Sequence, residues 1–162
     1  MSLRPLLDLA RDDGRFLALA DAAREGGAVP VYMSGAIQPY LLAALVEAEE
    51  GLGGRPALLV AADDVGARDL ARDLRAYLSP RLVRYYPSRG TGYASHLAPP
   101  PHLVGLRIAA LDALTHSEPA VVVASAVALA EAVPDARVGP ELGGSGGGSR
   151  GGVVAHRHEG SE

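Results

Sequence analysis

The apolar positions of this chain switch repeatedly between helical spacing and short continuous runs. Apolar residues that recur every three or four positions predict helices, and short continuous apolar runs predict strands that are buried on both faces. Glycines and prolines separate most of these segments. The predicted helices cover residues 3–9, 15–24, 38–50, 65–78, 103–114 and 125–132, and the predicted strands cover residues 29–33, 56–62, 82–86 and 120–124.

This alternation of strands and helices predicts the fold class. Strands that alternate with helices form a parallel sheet with helices on its faces. We therefore expect an α/β domain of about four parallel strands with a helical N-terminus. The strand, Gly-containing turn and helix around residues 31–41 further suggest the topology of a P-loop NTPase. Ligands of such sheets bind beyond the carboxyl ends of the strands. The loops after Met33, Ala62, Tyr86 and Ala124 are therefore the first places to look for a site.

The pattern of helices and strands ends near residue 134. Residues 139–152 are rich in Gly and Ser, which favours a flexible coil because such a tract buries little apolar surface. We expect an α/β domain over residues 1–134 and a flexible tail over residues 135–162.

Composition narrows the classes of function. Hydrophobic residues make up 48% of the chain but aromatic residues only 4%, so the core must consist of Ala, Leu and Val. The absence of Cys excludes disulfides and thiol catalysis, and the net charge of −4 disfavours strong non-specific binding to nucleic acid. The histidines lack metal-ligand spacing, so no metal site is predicted. No segment resembles a signal peptide or a membrane span, so we expect a cytoplasmic protein without membrane contact.

The turn formed by Ser34, Gly35 and Ala36 follows a predicted strand and precedes a predicted helix. A P-loop binds phosphate at this position, but it needs several glycines, a Lys and a Ser or Thr. All 15 basic residues are Arg, and Pro39-Tyr40 stands where Lys-Ser/Thr would be expected. A helix N-terminus still favours an anion, but a plain structural turn is the better interpretation. The turn is a degenerate P-loop, and we expect neither a bound cofactor nor nucleotide hydrolysis in this chain.

Three segments together resemble the N-terminal, UvrB-like domain of bacterial transcription-repair coupling factors (Mfd), over about residues 3–134. The family has a degenerate P-loop without lysine, a Pro-rich stretch that leads into an Ile-Val-Gly-x-Arg-Leu helix, and an apolar strand closed by a Thr/Ser-rich turn. The matching residues are the strand-turn-helix at 34–45, then Tyr86-Pro87, Thr91, Tyr93, Pro99, Val104-Gly105 and Arg107, and the run at 121–127. Arg89-Gly90 stands where the family has Trp-Glu, and Leu106 stands where it has a polar residue.

The resemblance implies a non-catalytic scaffold domain in transcription-coupled nucleotide excision repair. The full-length family is an ATP-dependent DNA translocase that binds RNA polymerase and UvrA. In that family, the motor domain binds the ATP. These 162 residues contain no counterpart of the motor domain, of the UvrA-recruiting domain or of the polymerase-binding module. The resemblance thus implies that this chain is a truncated coupling factor. The implied partners are the remaining coupling-factor domains, UvrA and RNA polymerase. The implied contact of the chain with DNA is weak.

The resemblance also marks Arg89, Tyr93 and Arg107 as candidates for contact with DNA or with another domain. Arg107 either pairs with a carboxylate that fastens the preceding loop or contacts a DNA phosphate, and the planar guanidinium favours the ion pair. In UvrB, tyrosines of the corresponding region hold damaged DNA. Here packing at the sheet edge, in a core that is otherwise small, is the favoured role of Tyr85, Tyr86 and Tyr93.

Asp63-Asp64 follows the second predicted strand. The pair suggests metal ligands or a Walker B motif, but a helix cap with a solvated neighbour is the favoured interpretation. Two other functions remain open for the whole chain. One is a stand-alone protein-interaction domain unrelated to repair. The other is a small phosphate- or nucleotide-binding protein of the Rossmann type, which the lack of a Gly-x-Gly-x-x-Gly turn disfavours.

Overall fold

The computed structural model describes residues 2–49, 51–90, 98–115 and 119–131. These residues lie in the first of two compact units, Met1–Ala132 and Val133–Glu162. The predicted tail falls outside the described residues, so the boundary at residue 134 stays a prediction. The elements are a 3₁₀ helix at Arg4–Asp12, helices α1 (Gly14–Glu25), α2 (Gln38–Glu47), α3 (Asp64–Leu78), α4 (Pro101–Thr115) and α5 (Ala126–Ala130), and strands β1 (Ala57–Ala61), β2 (Val83–Tyr86) and β3 (Val121–Ser125).

The three strands form one parallel sheet in the order β1-β3-β2. The mixed α/β class and the parallel sheet are confirmed. β3 lies in the centre and is buried along its whole length, as its run of valines predicts. Residues Val121 and Val123 point to one face of the sheet, where they pack against Leu74 and Leu78 of α3. Val122 points to the other face, in a smaller cluster with Ala110 of α4.

The segment at 29–33, which the sequence predicts to be a strand, is irregular in the structure. That prediction was wrong, and the described residues form three strands rather than four. Val31 is exposed and the Tyr32 side chain is fully exposed, at 99%. The segment instead lines a groove beside Phe16 and Leu19 of α1. A short apolar run becomes a strand only where a neighbour accepts its backbone hydrogen bonds, and local pattern does not show that neighbour.

Helix α2 ends at Glu47, three residues earlier than its apolar pattern suggests. The chain folds back through the following glycines, and the Leu52 and Gly54 amides donate to the carbonyls of Leu45 and Val46. A Cβ atom at Gly51 would lie 2.4 Å from the Leu45 carbonyl oxygen. This return of the chain satisfies the last carbonyls of the helix and requires glycine at its closest point.

Arg81 joins the amino ends of the strands to the end of α2. Its guanidinium donates to the Glu47 carboxylate at 3.0 Å and to the Pro119 carbonyl at 2.6 Å. It also donates to the carbonyls of Val46 and Arg55. The Arg81 side chain is 7% exposed, so these bonds are shielded from water. One planar group with five N–H donors therefore satisfies four acceptors from three segments.

No helix among the described residues is long and apolar enough to cross a membrane.

Replacing Arg81 with Met keeps much of the side-chain volume but leaves Glu47 and three carbonyls without this donor. We expect Arg81→Met to lower the free energy of unfolding by about 3 kcal/mol, as for other broken buried ion pairs. The matched control is Arg68→Met, whose exposed ion pair with Asp69 should contribute less than about 1 kcal/mol. Urea unfolding followed by circular dichroism measures both, and equal losses in the two variants would contradict this account.

Candidate functional site

The carboxyl ends of the three strands meet around one side chain, Asp64. It is the first residue of α3, directly after β1. Its Oδ1 atom accepts hydrogen bonds from the Ser125 hydroxyl at 2.6 Å and from the Ser88 amide at 3.1 Å. Its Oδ2 atom accepts a hydrogen bond from the Ser88 hydroxyl. The Tyr85 hydroxyl donates to the Asp64 main-chain carbonyl at 3.1 Å. The carboxylate thus joins segments that follow all three strands.

This environment holds the Asp64 carboxyl in its charged form. Partial burial works to raise the pKa of the carboxyl, but the hydrogen bonds from Ser125 and Ser88 outweigh it and set the pKa below its usual range. The pKa of the Tyr85 hydroxyl shifts in the opposite direction. Burial raises the pKa of Tyr85, and the negative charge of Asp64 raises it further. The edge of the sheet therefore carries a fixed negative charge at neutral pH.

Asp63, the neighbour, caps helix α3 through a 2.7 Å hydrogen bond from the Gly66 amide. The predicted cap is confirmed. The prediction that its neighbour is simply solvated was wrong, because Asp64 is partly buried and accepts hydrogen bonds. Within the described ranges, no group of three or more His, Asp or Glu side chains is arranged to hold a metal ion.

The Ser34–Ala36 turn lacks the backbone geometry of a phosphate cradle. The Ile37 and Gln38 amides donate to the carbonyls of Ser34 and Gly35 inside the turn. Pro39 falls in the first two positions of α2 and has no amide hydrogen. At this helix start, Ile37 and Gln38 therefore offer no free amide to an anion, and Pro39 has none to offer.

Arg107 is buried beneath the loop that follows β2. Its Nη1 atom donates to Glu131 Oε2 and to the Pro87 carbonyl, both at 2.8 Å. Its guanidinium carbon lies 4.3 Å from the centre of the Tyr86 ring, which is within range of a cation–π contact. The carboxylate partner favoured by the sequence analysis is therefore present, and it is Glu131. Tyr86 is buried in the core, as expected.

Arg89 belongs to the same cluster. Its backbone amide donates to both carboxylate oxygens of Glu131 at 3.0 Å, while its side chain stays partly exposed. Tyr93, the third candidate contact, lies outside the described residues. The structure thus brings Arg89 and Arg107 together on one carboxylate. Contact of these residues with DNA or with another domain stays a prediction.

Three residues of these clusters, Ser88, Ser125 and Glu131, were not predicted from the sequence to be site residues. The two serines lie just beyond β2 and at the end of β3, positions that converge in any parallel sheet. That convergence was the available signal, because it places polar residues from different strand ends side by side. Glu131 carries no comparable signal, since its partner Arg107 is on a different helix and 24 residues away in sequence.

A different feature is that the apolar residues of α4 are not confined to the face that packs on the sheet. The face that packs on the sheet includes Ala110 and Ala113, but Val104 and Ile108 are exposed, Ile108 at 62%. Leu111 continues their line at helical spacing and is partly buried. We call Val104, Ile108 and Leu111 the α4 stripe. Exposed apolar residues that lie together on the outer side of a helix favour a contact with another protein surface.

The hydrogen bonds to Asp64 predict a specific acid sensitivity. We expect Asp64→Asn to lower the free energy of unfolding at pH 7 by about 1 to 2 kcal/mol, because the serine donors lose a charged acceptor. Because the folded-state pKa of Asp64 is lowered, its contribution is complete at neutral pH. This contribution to the free energy of unfolding is lost as the pH falls below about 5 and then passes through the folded-state pKa of Asp64.

The difference in stability between wild type and Asp64→Asn should therefore shrink on acidification. Urea titrations at several pH values measure it. Asp63→Asn, which retains a good helix cap, is the matched control and should differ little from wild type. A difference for Asp64→Asn that stays constant with pH would contradict the assignment.

No protein-family model matches the sequence, and no curated protein is significantly similar to it. The resemblance to coupling factors therefore remains a prediction from the residues quoted above.

Proposed function

We propose that this chain is a non-catalytic scaffold domain of a transcription-repair coupling factor. In this role the domain binds no nucleotide itself and packs against the other domains of a DNA translocase that acts in nucleotide excision repair. RNA polymerase and UvrA are the partners of the whole assembly, and any DNA contact of this domain is weak. The family part of the proposal is supported by the sequence resemblance. The scaffold part is supported by two features of the structure.

The first supporting feature is the carboxylate at the edge of the sheet where α/β proteins bind ligands. Asp64 places a negative charge there and uses its oxygens on Ser88 and Ser125. A nucleotide phosphate at the same edge would face electrostatic repulsion and would find these donors already bonded. Next to the Ser34–Ala36 turn, the Ile37 and Gln38 amides are bonded to carbonyls of the turn, and Pro39 has no amide hydrogen. We infer that the sheet is related to that of P-loop NTPases but has lost phosphate binding.

The second supporting feature, and the one that carries the scaffold role, is the α4 stripe. The exposed Ile108 beside Val104 lowers solubility unless another protein surface covers the two side chains. Arg107 joins the same helix to Glu131 through an ion pair and to the loop after β2 through the Pro87 carbonyl. A rigid helix with an apolar outer surface suits packing against a neighbouring domain rather than a changing ligand.

Arg107 supports the link between structure and family. In the resemblance it matches the arginine of the Ile-Val-Gly-x-Arg-Leu segment, and it is the residue that anchors α4. A structural role for this arginine agrees with a scaffold domain. Its side chain is 9% exposed, so direct contact of this guanidinium with DNA is disfavoured.

The test is binding to the rest of a coupling factor supplied as a separate protein. A coupling factor that lacks its own N-terminal α/β domain is titrated with the 162-residue chain in a calorimeter. We expect saturable binding with a stoichiometry of one to one. Ile108→Asp should weaken it by about tenfold or more, because a charge in a desolvated apolar contact costs well over about 1.4 kcal/mol.

The matched control is Leu9→Asp, an equally exposed apolar residue, at 60%, on the 3₁₀ helix. It should bind like wild type. Absence of binding by the wild-type chain would overturn the repair assignment and favour the stand-alone interaction domain. Equal weakening by both substitutions would show that the α4 stripe is not the contact.

A further inference from the structure

Strand β1 presents an outer edge without the usual protection against strand pairing. It lies at one end of the sheet order β1-β3-β2, and no described segment pairs with its outer side. Edge strands are usually protected by charged residues, prolines or bulges. The sequence Ala57–Ala61 is Ala-Leu-Leu-Val-Ala and contains none of these, and Arg55, Pro56 and Asp63 lie only outside its two ends. The opposite edge, β2, does carry a charge, the exposed Arg84.

The backbone register shows which groups face outward. The Ala57 amide donates to the Ala120 carbonyl, so Ala57 faces β3. Because directions alternate along a strand, Leu59 and Ala61 also face β3. The amides and carbonyls of Leu58 and Val60 therefore point to the open edge.

The side chains of Leu58 and Val60 are also uncovered. They are 50% and 53% exposed, although they lie beside the buried Val122 and Ala124 of β3. The reason is that α4 packs chiefly on β2 and leaves this face of β1 open. Two apolar side chains and an unpaired strand edge thus coincide at the same place.

We infer that a second copy of this chain pairs with β1 across a two-fold axis, with the two β1 strands antiparallel and Leu59 opposite Leu59. In this register Leu58 lies opposite Val60 of the other copy, on the same face. The outward amides and carbonyls of these residues then bond to each other. The two copies then form one continuous sheet. The pair of Leu58 with Val60 of the other copy occurs twice, once on each side of the axis, as expected for an isologous contact.

Charge complementarity selects both the second copy and the register. With Leu59 on the axis, Arg55 lies opposite Asp63 of the other copy, and the symmetry makes this pair twice. Both residues are exposed at the two ends of β1. A slip of two positions places Arg55 opposite Ala61 or Val65 instead. The strand therefore matches itself in the one register that pairs its flanking charges.

The experiment measures the mass of the full 162-residue chain by analytical ultracentrifugation over a range of concentrations. We expect a reversible dimer. Leu58→Lys places a charge in the apolar centre and should raise the dimer dissociation constant by about 100-fold or more. Val65→Lys, an equally exposed apolar position at 59% on α3, is the matched control and should dimerise like wild type.

The register has its own test. Arg55→Glu should weaken the dimer by about tenfold, because each introduced carboxylate would face Asp63 of the other copy. Adding Asp63→Lys to that variant restores opposite charges and should recover most of the affinity. Because Asp63 also caps α3, urea unfolding of each variant verifies that the monomer remains folded.

A wild-type chain that stays monomeric at every concentration would overturn the inference. A dimer that Leu58→Lys leaves intact would overturn it as well. Failure of the charge swap to recover affinity, in a folded monomer, would overturn the register.

Discussion

The hydrogen bonds of Asp64 are the constraint on which the functional edge of this domain depends. This one carboxylate accepts hydrogen bonds from Ser88 and Ser125, and its own residue begins α3. Each strand end is thereby tied to the same pair of oxygens. Without the carboxylate, two buried serine hydroxyls would lose their acceptor, which is costly in a region sheltered from water. The same charge that organises the edge also disfavours a phosphate there. The Asp64 carboxylate thus orders this edge and, in the function that we propose, also keeps nucleotide phosphate away from it.

At two other places an arginine side chain likewise joins separate segments through several hydrogen bonds. Arg81 donates hydrogen bonds to carbonyls at the amino ends of the strands and to Glu47. Arg107 joins α4 to Glu131 and to the loop after β2. The core between them consists mainly of small residues, as its low aromatic content requires. Small side chains bring helices close to the sheet but bury less apolar area each. Side chains that bond several partners at once, such as Arg81 and Arg107, therefore contribute much to fixing how the helices and strands lie relative to one another.

The sequence predicted much of the fold, because that part is encoded in local pattern. The valine run of β3, the Asp63 cap and the helix that follows it are each visible within about ten residues. The failures lie where a distant partner decides. The run at 29–33 has the composition of a strand but forms no pairing with the sheet. Glu131 and the serines bonded to Asp64 acquire their roles only through contacts 24 to 61 residues away in sequence.

We propose that the Asp64 carboxylate closes the carboxyl edge of this sheet to nucleotide. The most direct measurement is a titration of the chain with magnesium ATP, followed by the backbone amide NMR signals of Ser88, Ser125 and the Ser34–Ala36 turn. The account predicts no saturable shift of these signals and no gain in unfolding free energy. Saturable shifts at these residues would contradict it, as would the stabilisation of about 2.7 kcal/mol that a ligand gives at about 100 times its dissociation constant.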